Sequence, residues 1–193
     1  MQSIINNEFT KHIKTTENTL ELITNQIEDA AILCINSLKK NGKILIIGNG
    51  GSAADAQHIA AELVGRYKTE RKGIPAIALT TDTSAITSIS NDFGYAHVFD
   101  RQIQALANVR DIVIGISTGG TSANVINGLN TAIDIGCQTI GFSGKGGGNF
   151  NSLCTVNLVV NSDDTARIQE MHILIGHIIC HLIDLEFSKS SYF

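Results

Sequence analysis

Residues 46–67 read IIGNGGSAADAQHIAAELVGRY. An apolar run enters a glycine turn, Ser52 follows, and the next stretch carries His58 and Glu62 at helical spacing. A strand that passes through such a turn into a helix opens an α/β unit. Three chemistries use that unit: a dinucleotide loop, a phosphate cradle and a metal site.

The flanking sequence repeats the pattern. The run KILIIG (43–48) is short and continuously apolar, as expected of a strand buried on both faces. Helix 52–65 follows. Further strands are predicted at 75–79, 111–117, 138–144 and 155–160, with helices at 83–91, 95–108 and 122–135, the last ended by Gly136. A long helix over about 165–187 closes the chain. Ahead of the first strand, Leu20, Ile23, Ile27, Ala30, Ala31, Cys34 and Leu38 recur at helical spacing, which predicts a helix over 18–40 stopped at Asn41-Gly42; residues 1–16 form a second one. The alternation gives an α/β fold, a five-stranded parallel sheet flanked by helices on both faces, with two N-terminal helices and a long C-terminal helix. Those leading helices leave an apolar face that partner subunits could cover. In such sheets, ligands bind at the carboxyl ends of the strands.

The 193 residues suit one domain, at most with a helical appendage. The composition, 43% hydrophobic and 17% charged, is that of a globular protein rather than a disordered one. A net charge of -4 lacks the basic surface that nucleic-acid binding needs. The apolar run ILIGHIICHLI (173–183) is too short for a membrane span and holds two histidines. No signal peptide is read at the start. Cys34, Cys137, Cys154 and Cys180 form no C-x-x-C pair and read as buried reduced thiols, so the expectation is a cytoplasmic protein without membrane or nucleic-acid partners.

Two strand ends share a design: GNGGS (48–52) and STGGTS (117–122). Glycine permits the turn and lets backbone N–H groups approach a ligand, while the helix N-terminus favours an anion. Ser117, Thr118, Thr121 and Ser122 add donors around a phosphate, and Asn49 adds one from the other loop. The plainer reading makes Ser52 and Ser122 helix N-caps; two such loops on one sheet shift the balance to a shared ligand. The rival dinucleotide fingerprint, Gly48-x-Gly50-x-x-Ala53, lacks the acidic residue its second strand should end on: that strand ends at Leu79, and Asp82 comes too late.

His58 and Glu62 stand four apart, on one face of a helix. In the last helix Gln169 and His177 are eight apart, about 80° around the axis and about 12 Å along it, so both reach one ion only with extended side chains or across subunits. A His/Glu/Gln/His set suits zinc or a similar cation. On spacing alone, a surface His–Glu pair and a half-buried histidine are the commoner meaning. Arg66, Arg71, Lys72, Lys145 and Arg167 are candidate phosphate partners, though for any single one a solvated charge is the commoner role.

Taken together, GNGGSAADAQHIAAELVGRY, ISTGGTS and ARIQEMHILIGHIICHLID closely resemble the sedoheptulose 7-phosphate isomerases (phosphoheptose isomerases) of the SIS, or sugar isomerase, family. The resemblance covers nearly the whole chain; STGGTS alone would indicate only a SIS domain. It implies a flavodoxin-like three-layer SIS domain over 1–193, with 1–40 its helical part and 41–193 its α/β core and C-terminal helix. It implies a homotetramer that converts sedoheptulose 7-phosphate to D-glycero-D-manno-heptose 7-phosphate through an enediol, the first step towards bacterial heptose nucleotides, with one zinc ion per subunit. Carried over residue by residue, the metal ligands fall on His58, Glu62, Gln169 and His177. Substrate contacts fall on Asn49, Gly50, Gly51, Ser52, Asn91, Asp92, Ser117, Thr118, Gly119, Ser122 and Gln169, and the catalytic pair on Glu62 and His177. Asp55 modulates the local charge without deciding function. A tightly held metal would occupy the atoms that proton transfer needs, so ligation is labile in turnover or the metal is structural. Three alternatives stand beside this reading: an adaptor that binds a replication initiator, an isomerase of another sugar phosphate, and a sugar-phosphate sensor. The loops serve all of them, whereas Glu62 with His177 favours an isomerase.

Overall fold

The computed structural model describes residues 1–188. Five parallel strands form one sheet in the order β2-β1-β3-β4-β5: β1 (Ile44–Gly48), β2 (Ala76–Ala78), β3 (Ile112–Ile116), β4 (Gln138–Gly144) and β5 (Val156–Val160). Pairing is in register from Ile44↔Ile112 to Gly48↔Ile116 between the central strands. Among the described residues the helices are α1 (Gln2–Lys39), α2 (Gly51–Val64), α3 (Thr83–Phe93), α4 (Asp100–Leu106), α5 (Ala123–Ile135), α6 (Phe150–Leu153) and α7 (Thr165–Ser188), with a 3-10 turn at Tyr95–His97. The expected 95–108 helix is therefore a 3-10 turn followed by α4, and α6, a single turn, was not foreseen.

Strand alternation sorts the core onto two faces. Ile44 and Ile46 of β1, with Ile112, Ile114 and Ile116 of β3, pack under α1, α2 and α7. Leu45, Ile47 and Val113 point the other way, against Ile103 of α4 and Val125 and Leu129 of α5. A period of two over strands that are apolar at every position buries both faces.

Two expectations need correction. The leader is one 38-residue helix, not two. No glycine or proline interrupts residues 1–40. At the expected break, Thr15 and Thr16 turn their hydroxyls back to the carbonyls of Lys11 and His12, both at 2.9 Å, so the threonines join the helix rather than end it. The second correction concerns α7: it is 24 residues long and, over its most apolar 18 residues, apolar enough to cross a membrane, whereas 173–183 alone is too short. Half of that apolar stretch is buried, and α7 also buries Arg167, His172 and Asp184, the composition of a core helix.

Candidate functional site

In a 2-1-3-4-5 sheet the chain leaves β1 to one side for β2 and crosses back to β3 on the other. The carboxyl ends of β1 and β3 therefore open a crevice, the place where such sheets bind ligands. Both glycine-rich loops end there: β1 leads through Asn49 and Gly50 into α2, and β3 leads through residues 117–122 into α5. Gly50 precedes α2 at φ 55, and no side chain caps that helix. The N–H groups of Ala53 and Ala54 turn back to the Gly50 carbonyl at 3.1 and 3.2 Å, which leaves those of Gly51 and Ser52 at the helix start for an anion.

The hydroxyls do not act as plain caps. Ser122 holds the N-cap position of α5 but makes no capping hydrogen bond. Its Oγ lies 3.0 Å from the Oγ of Ser117, which ties the two ends of the loop together. Ser52 is buried within the first turn of α2. Thr118 and Gly119 are half-buried at the tip of the loop. Behind them Gly120 sits at φ 62, and a Cβ there would run into the carbonyl of Gly147. The β4–α6 turn, with Gly146, Gly147 and Gly148 all at positive φ, thus supports the β3 loop backbone to backbone.

Asn49 takes a different role from the free donor expected. Its amide exchanges two hydrogen bonds with Asn124: Asn49 Nδ2 donates to Asn124 Oδ1 at 2.8 Å, and Asn124 Nδ2 donates to Asn49 Oδ1 at 2.9 Å. The Tyr95 hydroxyl donates to the same Asn49 oxygen at 2.9 Å. This pair ties the β1 loop to the first turn of α5, the helix that the β3 loop leads into. Neither Asn124 nor Tyr95 was singled out from the sequence, since only the fold shows that they meet Asn49. Asn91 and Asp92 are exposed in the last turn of α3, with the Asn91 amide donating to the Asp92 carboxylate at 2.8 Å. Among the described residues no hydrogen bond joins either to the loops.

The second half of the site lies further along α2. His58 Nε2 is 3.2 Å from Glu62 Oε1 and 3.3 Å from His177 Nε2 of α7. One ligand atom from each of the three falls within 4.8 Å of the others. Two imidazole nitrogens and a carboxylate oxygen at that spacing fit a borderline cation such as zinc, with room for further ligands. Two histidines meeting edge-on beside a carboxylate go beyond the surface pair that spacing alone suggests. Burial lowers the His177 pKa and the His58 charge adds to this, against the opposing pull of Glu62. One turn before His58, burial pushes the Asp55 carboxyl up to about 6, with the His58 charge pulling it down. Asp55 Oδ2 is buried and has no hydrogen-bond partner among the described residues.

Gln169 lies at the other end of α2. A Cβ on Gly51 would approach its amide nitrogen to 2.5 Å, so the glycine makes room for this side chain over the first turn of the helix. His58 and Glu62 follow Gly51 by seven and eleven residues, roughly 10 and 16 Å along the axis. A ligand anchored at the loops must be extended to reach them. The candidate cations are partly reassigned. Arg71 is bound to Asp184, and Arg167 to Glu8 and Glu170, so these two are engaged inside the protein and are neither phosphate partners nor solvated charges. Lys145, at φ 52, stands exposed where β4 ends, beside the glycine turn that supports the β3 loop.

Comparison with known proteins agrees with this geometry. The SIS domain family matches residues 8–144. The phosphoheptose isomerase of Aliarcobacter butzleri is 58% identical over 188 residues, 97% of this chain and 100% of that protein. The structure of phosphoheptose isomerase from Neisseria gonorrhoeae is similar at a TM-score of 0.91, with 42% identity over 95% of this chain and 98% of that one. A phosphoheptose isomerase from Francisella tularensis superposes at 0.92 with 35% identity, again over 95% and 98%.

Proposed function

Since this chain belongs to the SIS domain family, in the branch of the phosphoheptose isomerases, we propose that it converts D-sedoheptulose 7-phosphate to D-glycero-D-manno-heptose 7-phosphate, which feeds bacterial heptose nucleotide synthesis. The observation that carries the reading is that one helix, α2, joins an anion cradle at its start to the Glu62/His58/His177 cluster near its end. An extended sugar phosphate needs both.

The reaction moves one proton between adjacent carbons through an enediol. The first turn of α2 and the 117–122 loop bind the phosphate, with Gly50, Gly51, Ser52, Ser117, Thr118, Gly119 and Ser122 around it. Gln169, at the start of α2, and Asn91 and Asp92, in the last turn of α3, contact the sugar chain. Asn49 keeps the β1 loop in register with the start of α5 through Asn124. Held at its phosphate end, the substrate presents C1 and C2 to Glu62 at an effective concentration that free solution does not provide. The Glu62 carboxylate takes the proton from one carbon and returns it to the next. His177, with its pKa held down, is neutral near pH 7 and exchanges protons with the substrate oxygens. His58, Glu62 and His177 would hold a zinc ion; Gln169, placed against Gly51 at the other end of α2, would join them only from a neighbouring subunit. When bound, the ion would supply polarisation of the carbonyl and hydroxyl oxygens. A homotetramer in the cytoplasm completes the reading. It is supported by the exposed apolar face of α1 and by four free cysteines, which a reducing compartment preserves.

The test is to incubate the purified protein with sedoheptulose 7-phosphate and follow aldose formation by NMR, with Glu62→Gln alongside. Glu62→Gln keeps the shape and removes the base, so turnover should fall by at least about a thousandfold while the melting temperature stays within a few degrees. Turnover in Glu62→Gln would exclude Glu62 as the base. Wild type inactive with and without zinc would overturn the isomerase reading, and a pull-down of a replication initiator would then test the adaptor.

A further inference from the structure

Between α2 and β2 the chain runs from Gly65 to Pro75 without regular secondary structure, yet part of it is tied down more firmly than a surface loop. Asp184 of α7, wholly buried, accepts the backbone N–H of Lys68 at 2.8 Å and of Thr69 at 3.0 Å, and Arg71 Nε at 2.5 Å. Burial alone would raise this carboxyl; the two backbone donors and the Arg71 guanidinium outweigh it and hold it below its ordinary range. Arg71, whose side chain is 2% exposed, also donates to the carbonyls of Leu63 at 2.8 Å and Glu62 at 3.0 Å. Those carbonyls belong to the last turn of α2, which has no intrahelical partner for them. One buried ion pair thus fastens the end of α2, the 68–71 segment and α7 to one another.

Tyr67 stands at the head of this fastened segment. Its ring is stacked on the His177 imidazole, with centroids 5.4 Å apart and planes 14° from parallel. The same ring also meets His181, one turn along α7, at 6.0 Å and 64°. The His58 ring meets His177 edge-on at 4.9 Å and 78°. The His177 imidazole is therefore bounded by Tyr67 and by His58, and its Nε2 is turned towards His58.

We infer that Tyr67, seated by the Arg71–Asp184 pair, is a positioning residue that fixes the plane of the His177 imidazole for proton exchange and for metal ligation. The inference rests on the isomerase reading above. An imidazole free to rotate about its last two bonds presents Nε2 to the substrate only part of the time; a parallel aromatic face removes that freedom and costs little, because the tyrosine is itself held by its neighbours in the chain.

The experiment compares Tyr67→Phe and Tyr67→Leu with wild type, reading kcat and KM for sedoheptulose 7-phosphate, zinc affinity by competition with a chelator, and the ring-current shift of the carbon-bound His177 ring protons by NMR. The stack needs a ring and not a hydroxyl, so Tyr67→Phe should keep all of these. Tyr67→Leu, which keeps an apolar contact but no ring, should lose the ring-current shift, lower kcat about tenfold with KM changed less than about twofold, and weaken zinc about tenfold. Wild-type kcat and zinc affinity in Tyr67→Leu would overturn the inference. Failure of Tyr67→Leu to fold would also overturn it, by making the residue a packing element only. An inactive wild type overturns the isomerase reading instead, a result distinct from an active wild type beside an unaffected Tyr67→Leu.

Discussion

Ser122 shows how a residue type legible in the sequence can be given the wrong partner. Serine before a helix is ordinarily a cap, yet here its hydroxyl bonds Ser117 within the same loop. Asn49 is similar: its amide reads as a ligand donor, and the fold engages one of its two side-chain N–H groups with Asn124 and its oxygen with Asn124 and Tyr95. Ser117 and Ser122 are five residues apart, and the curl of their own loop decides that they meet; Asn49 meets residues 46 and 75 positions away, and such a separation carries no local signal. Gly120 was legible as a turn residue, but the reason that only glycine fits was not, because the obstructing carbonyl comes from Gly147. Gly120→Ala combines a positive φ with a backbone collision, and neither can be relieved by a side-chain rotation. It should cost about 1–3 kcal/mol in stability, from the strained φ alone, and displace the 117–122 loop from the phosphate. The checks are thermal unfolding and KM, which should rise more than tenfold; an unchanged KM would detach this loop from the phosphate.

Among the elements, the strands and α2, α5 and α7 followed closely from apolar runs and glycine stops, because each is specified by its own residues. The leader did not: the polar stretch around Thr15 and Thr16 breaks the apolar periodicity, but helix continuity is decided by backbone bonds and by docking on α7 rather than by pattern. The one-turn α6 is set by its neighbours and is too short to carry a period. The long α7 carries one side chain that the proposed chemistry does not use. His172 is wholly buried beside the Phe142 ring, its Nε2 3.1 Å from the Ser143 carbonyl of β4. Burial lowers its pKa to about 4, against the Ser143 carbonyl, which favours the charged form. In the unfolded chain the same histidine titrates near 6.5. The folded form therefore refuses a proton that the unfolded form takes up between pH 6.5 and 4, so the neutral histidine's contribution is complete above pH 6.5 and falls away through that window, by roughly 3 kcal/mol in all. His172→Gln, which keeps an N–H donor for Ser143 and has no titrating ring, should flatten the acid limb of melting temperature against pH from 6.5 to 4. An equally steep limb in the variant would assign the acid sensitivity elsewhere.

The whole molecule exposes more apolar surface along α1 and α7 than a monomer has reason to. Phe9, Ile13 and Leu20 of α1 are 66%, 55% and 71% exposed, and Leu174, Ile178 and Leu185 of α7 about 40%. Between the two helices lies an apolar cavity of about 450 Å3, with Leu20, Leu174, Ile178 and Leu182 on its walls. The sequence placed an uncovered apolar face on its leading helices. It could not give the shared groove with α7, because that depends on how one long helix lies across another. Apolar area on this scale, laid along two helices, is the kind that assembly removes from water. Ile178→Asp puts a carboxylate in the middle of that groove, where assembly would have to strip it of water at a cost of several kcal/mol. As the side chain is partly exposed in the single chain, the fold itself should tolerate it. Light scattering should therefore give a tetramer for wild type and a smaller species for Ile178→Asp, with the circular dichroism of the two alike. A wild-type monomer, or a variant that assembles as wild type does, would show that this face stays open to water and that the subunits, if they meet, do so elsewhere.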